Sequence, residues 1–264
     1  MIVVEKREDL AAARDALPGC VAVVMTMGAL HEGHAELVRQ ARRTADSVLV
    51  TVFVNPLQFG AGEDLDHYPR NLAVDLALVE REGADVVFTP TLDVVYPDGP
   101  PLVRVAAGAL GDVLEGASRP GHFDGMLTVV CKLLHLTRPD VALFGQKDAQ
   151  QLAAIRAMVR DLDLAVEVRA VRTVREPDGL ALSSRNRYLT AEQRSAALVL
   201  SRALRLRDVT AGRALIDAEP DVALDYLERV DPATFTTDPE GDLIVVAARL
   251  GTTRLIDNLV LSEG

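Results

Sequence analysis

The strongest constraint on the fold is the alternation of apolar β-branched runs with segments of helical periodicity. The runs "CVAVVMT", "SVLVTVFV" and "DVVFTP" are separated by the helix-like "HAELVRQARRTA" and "LAVDLALVEREG". The helix-like "MLTVVCKLLHLTRP", a strand "VALFG", a helix "AQQLAAIRAMVRDLD" and a strand near "AVEVRAV" follow. Such alternation is typical of βαβ units, whose parallel strands are buried on both faces. We therefore predict an α/β fold for residues 1–173, with a doubly wound, Rossmann-like parallel sheet.

The chain changes character after residue 173. The Pro-Asp-Gly turn in "TVREPDGLALSS" predicts a hairpin. Thr190 and Gln193 have the spacing of a capping box, which predicts the start of a helix. Further on, "TFTTDPEGDLIVVAARLGTTRLIDN" reads as strand, turn, strand. We predict that residues 174–264 form a smaller C-terminal α+β domain.

Charge and composition exclude several classes of protein. Lys and Arg total 28 against 39 Asp and Glu, giving a net charge of −11 that repels nucleic acid. No apolar run approaches the roughly 20 residues of a membrane span, and the opening "MIVVEKREDL" lacks the apolar core of a signal peptide. Cys20 and Cys131 have no metal-ligand or CxxC spacing. We expect a cytoplasmic protein without a nucleic-acid or membrane partner.

The stretch "TMGALHEGH" lies where a core strand gives way to a helix that we predict to begin near His34. Ligands bind at the carboxyl ends of strands in such sheets, and the free N–H groups of a helix start suit phosphate. Gly28 and Gly33 allow a ligand close to the backbone, and His31 can point the same way as His34. Two surface histidines at a helix start remain an alternative. The His-x-Gly-His pattern resembles the signature of adenylate-forming nucleotidyltransferases.

Two later stretches have similar chemistry. In "LFGQKDAQQL", Lys147 sits at the positive end of a helix dipole, where a cation is disfavoured unless an anion is near. Asp148 and Gln151 have the spacing of a helix cap, so capping alone could explain both. In "GLALSSRNRYL", two hydroxyls and a guanidinium form a compact set of phosphate donors. A solvated turn is the alternative reading for that loop.

Five stretches in order, "TMGALHEGH", "VFVNPLQFG" with "DLDHYPR", "RPGHFDGMLTVVCKLL", "LFGQKDAQQL" and "TVREPDGLALSSRNRYL", resemble the pantoate–β-alanine ligase family. The resemblance implies a ligase of coenzyme A biosynthesis that joins (R)-pantoate to β-alanine at the expense of ATP. It also implies a pantoyl-adenylate intermediate, with release of AMP and pyrophosphate. Catalysis would rest on orientation and on stabilisation of phosphate charge, without a covalent nucleophile. A homodimer through the N-terminal domain is a further implication.

The resemblance implies site residues at matching positions. His34 would act as general acid or phosphate donor, with His31 beside it and Lys147 on the phosphates. The implied ATP-binding residues are Met27, Gly28, Ala29, Leu30, His31, Glu32, Gly33, His34, Gly145, Gln146, Lys147, Asp148, Val174, Leu182, Ser183, Ser184 and Arg185. Pantoate would be held by Gln58 and Gln151. Residues implied on the β-alanine side are Asn55, Tyr68 and Arg119. Mg²⁺ would accompany ATP, with Asp75 as its protein contact.

The chain departs from the family pattern at three of its positions. Leu182 stands where the family usually has Met, Gln146 replaces a common Glu, and Met25 replaces a common Pro. None of these changes removes a proposed donor. The roles of His67, in an acidic loop, and His122, after "RPG", stay open.

Three other functions share part of this pattern. A tRNA synthetase fragment is disfavoured by the net charge and by the lack of an anticodon-binding extension. A simple nucleotidyltransferase would not need both Gln58 and Gln151. A non-catalytic nucleotide sensor would bind ATP without turnover. Pyrophosphate release that requires pantoate would separate all three from a ligase.

Overall fold

The structure, a computed structural model, describes residues 1–60, 65 and 68–263. It contains two compact units. The N-terminal unit comprises Met1–Phe144 and Ala154–Val171, and the C-terminal unit comprises Gly145–Ala153 and Arg172–Gly264. This division differs from the predicted boundary between residues 173 and 174 by placing Gly145–Ala153 and residues 172–173 in the C-terminal unit. The predicted domain boundary itself stays a prediction.

A six-stranded sheet forms the centre of the N-terminal unit. Its spatial order is β1-β4-β3-β2-β5-β6, and the pairings from β1 through β5 are parallel. The strands are β1 Ile2–Val4, β2 Val21–Thr26, β3 Ser47–Val52, β4 Val86–Phe88, β5 Val141–Gly145 and β6 Glu167–Val171. The predicted doubly wound α/β class is confirmed.

Helices connect these strands and pack against the apolar side chains of the sheet. They are α1 Arg7–Ala16, α2 Glu32–Thr44, α3 Leu72–Arg81, α4 Leu92–Val95, α5 Glu115–Ser118, α6 His122–Thr137 and α7 Ala149–Asp161. Residues 21–24 of β2 are completely buried, which explains their unbroken apolar run, because both faces of a central strand pack against other elements. Within the part of the chain that the structure describes, no helix is long and apolar enough to cross a bilayer.

The order in which the chain adds strands to the sheet reverses between β2 and β5. From β2 the chain proceeds to β3 and β4 on one side, and it later returns to β5 and β6 on the other. Such a switch point opens a crevice at the carboxyl ends of the two strands, where α/β proteins bind ligands. The strand β2 leads into the stretch "TMGALHEGH", residues 26–34, which we call the histidine stretch. The strand β5 ends at Gly145, where the chain enters the C-terminal unit.

The C-terminal unit is a three-stranded antiparallel sheet with two helices. Its elements are α8 Ala191–Arg205, α9 Val209–Asp217, β7 Ala223–Val230, β8 Leu243–Leu250 and β9 Thr253–Val260, in the sheet order β7-β8-β9. The core contains fully buried Ala197, Ile216 and Leu250. The predicted hairpin is confirmed by a bridge between Arg175 and Ala181. The predicted capping box of α8 is confirmed as well.

Candidate active site

A tight loop joins β2 to α2 and carries the histidine stretch. The Thr26 hydroxyl donates to the Thr51 carbonyl at 2.8 Å and accepts the Gly28 N–H at 3.3 Å. Gly28 and Ala29 both have left-handed backbone, with φ of +82° and +52°. The left-handed region is strained for Ala29, which carries a side chain. Surrounding contacts must therefore hold the loop in this shape.

Asp75, in the first turn of α3, supplies those contacts. Its side chain is 2% exposed. One carboxylate oxygen accepts the Ala29 N–H at 3.0 Å and the other accepts the Leu30 N–H at 2.8 Å. A Cβ added to Gly28 would lie 3.0 Å from the same carboxylate. Asp75 therefore holds the loop through two charge-assisted hydrogen bonds.

These contacts bear on the expected magnesium site. Both oxygens of the buried Asp75 carboxylate are engaged by backbone N–H groups, so the carboxylate fits the role of a loop anchor better than that of a metal ligand. Among the residues that the structure describes, no group of three or more His, Cys, Asp or Glu side chains could hold a metal ion. The contact of Asp75 with Mg²⁺ stays a prediction.

The two histidines close the first turn of α2. The helix begins at Glu32 with His31 as its N-cap, so the predicted start near His34 is two residues late. The His31 Nδ1 atom accepts the Gly33 N–H at 3.1 Å, and the His34 Nδ1 atom accepts the His31 N–H at 3.2 Å. The ring centroids are 4.2 Å apart. Capping explains why both histidines lie at the helix start, and their binding of phosphate stays a prediction.

The cap fixes the tautomer of both imidazoles. A backbone N–H always donates, so each Nδ1 atom must be unprotonated and each ring carries its proton on Nε2. An Nε2–H group can donate to a phosphate oxygen, and that contact stays a prediction for both histidines. A Cβ added to Gly33 would lie 2.9 Å from Cε1 of His31, so a larger residue at this position would have to displace the ring.

Buried amides follow β3 in the N-terminal unit. Asn55 is 1% exposed and Gln58 is 7% exposed. The Asn55 amide donates to Gln58 Oε1 at 3.2 Å and to the Gly125 carbonyl at 3.1 Å, while Asn55 Oδ1 accepts the Tyr96 hydroxyl at 3.0 Å. The Gln58 amide donates to the Met27 sulfur at 2.8 Å. Two predicted substrate residues and one residue of the histidine loop are therefore brought together.

His122 connects this cluster to Arg119. Nδ1 of His122 lies 2.8 Å from the Gln58 carbonyl, and Nε2 lies 3.0 Å from an Arg119 guanidinium nitrogen. Because a guanidinium can only donate, Nε2 accepts and Nδ1 donates to the carbonyl. The sequence left the role of His122 open. In the structure, His122 links Arg119, which is predicted to bind β-alanine, to the turn that carries Gln58.

The segment after Gln58 contains two further residues named from the sequence. The ring of Tyr68 contacts Phe59 edge-on, with centroids 5.9 Å apart. His67 lies outside the described residues. Tyr68 therefore packs beside the turn that carries Gln58, and its contact with β-alanine stays a prediction.

In the C-terminal unit, Lys147 lies in a 3₁₀ turn at Gln146–Asp148 that leads into α7. Its side chain is 19% exposed, and Nζ lies 3.9 Å from a carboxylate oxygen of Asp148. The Asn258 amide of β9 donates to the carbonyls of Gln146 and Lys147 at 2.9 and 2.8 Å. Gln151 is half-buried in the first turn of α7. Both of its predicted roles, as a pantoate ligand and as a cap partner, stay open.

The predicted phosphate-binding loop follows the hairpin. Leu182 N–H donates to the Val174 carbonyl at 3.0 Å, which places these two predicted nucleotide residues side by side. The Ser183 hydroxyl accepts the Arg185 N–H at 3.2 Å and caps the 3₁₀ turn Ser184–Tyr188. The loop is thus an ordered turn with half-buried Ser183, Ser184 and Arg185.

Comparison with known proteins decides the family. A family model described as pantoate-beta-alanine ligase matches residues 2–260. The chain belongs to the pantoate–β-alanine ligase family. A pantothenate synthetase from Streptomyces avermitilis is 53% identical, over 92% of this chain and 93% of its own. A second pantothenate synthetase, from Nocardioides sp., is 57% identical, over 100% of this chain and 86% of its own.

Solved structures agree with this assignment. Pantothenate synthetase from Thermus thermophilus has a TM-score of 0.92 at 46% identity and covers 99% of both chains. Pantoate-beta-alanine ligase from Francisella tularensis, solved in complex with beta-gamma ATP and beta-alanine, has a TM-score of 0.88 at 35% identity, covering 100% of this chain and 99% of its own. The predicted enzyme class, ligase of pantothenate biosynthesis, is confirmed.

Two residues of this pantoate–β-alanine ligase, Tyr96 and Asn258, were not named from the sequence, and His122 was named without a role. Tyr96 and His122 hold the amide cluster, and Asn258 holds the turn of Lys147. Burial raises the pKa of Tyr96 to about 12, because apolar surroundings disfavour the phenolate. The only local signal was the position of His122 within a motif of the ligase family. Tyr96 and Asn258 contact partners 41 and 111 residues away, which local patterns do not reveal.

Proposed function

We propose that this ligase condenses (R)-pantoate with β-alanine through a pantoyl-adenylate. A pantoate carboxylate oxygen attacks the α-phosphorus of ATP, the bond between that phosphorus and the bridging oxygen breaks, and pyrophosphate leaves. The β-alanine nitrogen then attacks the acyl carbon, AMP leaves with the carboxylate oxygen, and the amine loses a proton. Adenylation is needed because a carboxylate oxygen is a poor leaving group. The two steps give pantothenate, AMP and pyrophosphate.

The family match and the histidine loop carry this proposal. In the N-terminal unit, the loop presents two Nε2–H donors and the start of α2, which together suit phosphate. His34 and His31 would stabilise charge that develops on the phosphates during attack, as preorganised donors do. The remainder of Met27–His34 would contribute backbone N–H groups. The Francisella relative was solved with beta-gamma ATP, which supports ATP as the substrate here.

We assign complementary roles to residues of the C-terminal unit. Lys147 would bind the phosphates, and Gly145, Gln146 and Asp148 would line the nucleotide beside it. Val174 would contact the adenine region, and Leu182 would close over the triphosphate with the three residues that follow it. Ser183, Ser184 and Arg185 would donate to the triphosphate as a preformed turn, so little conformational entropy would be lost on binding.

The buried amides suit a hydroxy acid. Gln58 offers both a donor and an acceptor, which matches the hydroxyl groups of pantoate, and Gln151 would hold the same substrate from α7. Asn55, Tyr68 and Arg119 would serve β-alanine, with Arg119 as the partner of its carboxylate. Mg²⁺ would accompany ATP, held by phosphates and water. A homodimer in the cytoplasm is part of the proposal, and sedimentation tests the dimer.

The test is incubation of the purified protein with ATP, Mg²⁺, pantoate and β-alanine, leaving out each in turn. In a single turnover, pyrophosphate release should require ATP and pantoate but not β-alanine. Pantothenate should appear only in the complete mixture. Pyrophosphate release without pantoate, or AMP transfer to a phosphate acceptor, would contradict the proposal.

Two substitutions test the assigned donors. We expect His34→Ala and Lys147→Ala each to lower the adenylation rate by at least about 100-fold, as loss of a transition-state donor does. Asp225→Asn, which removes the ion pairs of Asp225 on β7 with Arg254 on β9 and Arg249 on β8, should stay within about twofold of the wild-type rate. An unchanged rate in either donor variant would remove that residue from the mechanism.

A further inference from the structure

We propose that Asn258 is a positioning residue for Lys147. The inference rests on the proposed function, in which Lys147 binds the phosphates of ATP. Asn258 lies on β9, is 6% exposed, and belongs to the same unit as Lys147. It would act on the reaction only through the turn that carries the lysine.

The contact is a two-pronged clamp on consecutive carbonyls. The Nδ2 atom of Asn258 donates to the Gln146 carbonyl at 2.9 Å and to the Lys147 carbonyl at 2.8 Å. A side-chain amide has two N–H groups, so each carbonyl receives one. Two adjacent peptide planes are thereby fixed, and with them the direction in which the Lys147 side chain leaves the backbone.

Neighbouring residues hold the backbone of Asn258 in place, and with it the start of its side chain. The Asp257 carboxylate accepts the Asn258 backbone N–H at 2.8 Å and binds the Arg175 guanidinium through both oxygens, at 2.6 and 2.9 Å. Arg175 also donates to the Asn258 carbonyl at 3.3 Å and to the Gly179 carbonyl of the hairpin at 3.2 Å. Because Asp257 is 5% exposed, the paired charges are shielded from water and their geometry is well defined.

Lysine needs such support more than most donors. Its ammonium is a point charge on a flexible stem, so its position depends on where the backbone starts it. A displacement of about 1 Å can cost up to roughly 100-fold in rate. Replacing Asn258 with Asp would remove both donors and place a carboxylate oxygen against two carbonyl oxygens, which would push the turn away.

A double-mutant cycle tests this inference. The rate of pantoate-dependent pyrophosphate release is measured for wild type, Asn258→Asp, Lys147→Ala and the double variant. We expect Asn258→Asp to lower the rate by roughly 10- to 100-fold in the wild-type chain. In the Lys147→Ala background it should lower the rate by less than about threefold, because the lysine on which it acts is gone. Asp225→Asn, a change between the same two residue types on a neighbouring part of this sheet, is the control for a substitution that does not touch the turn of Lys147.

Each outcome has a defined meaning. Additive effects of the two substitutions, or an unchanged rate in Asn258→Asp, would overturn the positioning role. If Asn258→Asp does not fold, as judged by its thermal unfolding, Asn258→Ala takes its place in the same cycle. A normal rate in Lys147→Ala would refute the role of the lysine and the inference with it. Failure of the wild type to release pyrophosphate with pantoate would instead refute the proposed function.

Discussion

The carboxylate of Asp75 allows a quantitative prediction, because its two partners are the backbone N–H groups of Ala29 and Leu30. In Asp75→Asn, one oxygen remains as an acceptor and the other becomes an NH₂ group that faces a donor. One hydrogen bond to a charged group is lost, at about 1.5–3 kcal/mol, and a buried N–H is left without an acceptor. We expect the free energy of unfolding to fall by roughly 2–4 kcal/mol.

The same substitution should lower the efficiency with which the enzyme uses ATP. The carboxylate binds the N–H of left-handed Ala29, so its loss should release the loop and move the first turn of α2 with its histidines. We expect kcat/KM for ATP to fall by roughly 10- to 100-fold, with a smaller change in KM for β-alanine. Unfolding is followed by thermal melting and urea titration, and kinetics by pyrophosphate release.

The matched control is Asp93→Asn, an exposed aspartate in the first turn of α4. Both substitutions remove a negative charge from a helix start, so the loss of the helix-dipole interaction is common to the two variants. Asp93→Asn should leave ATP kinetics unchanged. If Asp75→Asn matches this control in both stability and KM for ATP, the loop does not depend on the carboxylate. A loss of stability with normal ATP kinetics would limit Asp75 to a structural role.

Three further predictions concern other parts of the site. Tyr96 has a folded pKa of about 12 against about 10 when unfolded, so it adds stability below pH 10 that is lost as the pH rises to 12. This loss should lower the free energy of unfolding by roughly 3 kcal/mol between pH 9 and 12. In Tyr96→Phe the decrease should be smaller, as measured by unfolding titrations across that pH range. Gly33→Ala should displace the His31 ring and raise KM for ATP roughly 10-fold, and a normal KM would show that the ring tolerates the methyl group. Gln151→Ala should raise KM for pantoate more than it lowers the thermal midpoint, and a change in the midpoint alone would favour the capping role.

Local sequence patterns predicted the elements that depend on neighbouring residues. The unbroken apolar run at residues 21–24 identified β2, because a strand buried on both faces leaves no polar positions. Thr190 and Gln193 are three residues apart, and their side chains cap each other's backbone at 3.1 and 3.2 Å. The Pro-Asp-Gly turn predicted the hairpin for the same reason, since its bonds are local.

Other features depend on partners that are distant along the chain. The strand β7 was missed because a register shift between Leu224 and Tyr226 breaks its alternation. The start of α2 was placed too late because histidine is not among the usual N-cap residues. The anchor role of Asp75 and the clamp of Asn258 join residues 45 or more positions apart. The roles assigned to the site residues by resemblance stay predictions until the variants above are measured.

The capping histidines have a consequence for the response to salt. With each Nδ1 atom accepting a backbone N–H, they would bind phosphate through Nε2–H hydrogen bonds, which act at contact, in a chain whose overall charge is −11. Dissolved ions screen interactions between full charges over about 8 Å at physiological ionic strength but weaken hydrogen bonds at contact far less. Concentrated salt should therefore diminish the contribution of Lys147 to ATP affinity while leaving that of the imidazoles largely intact.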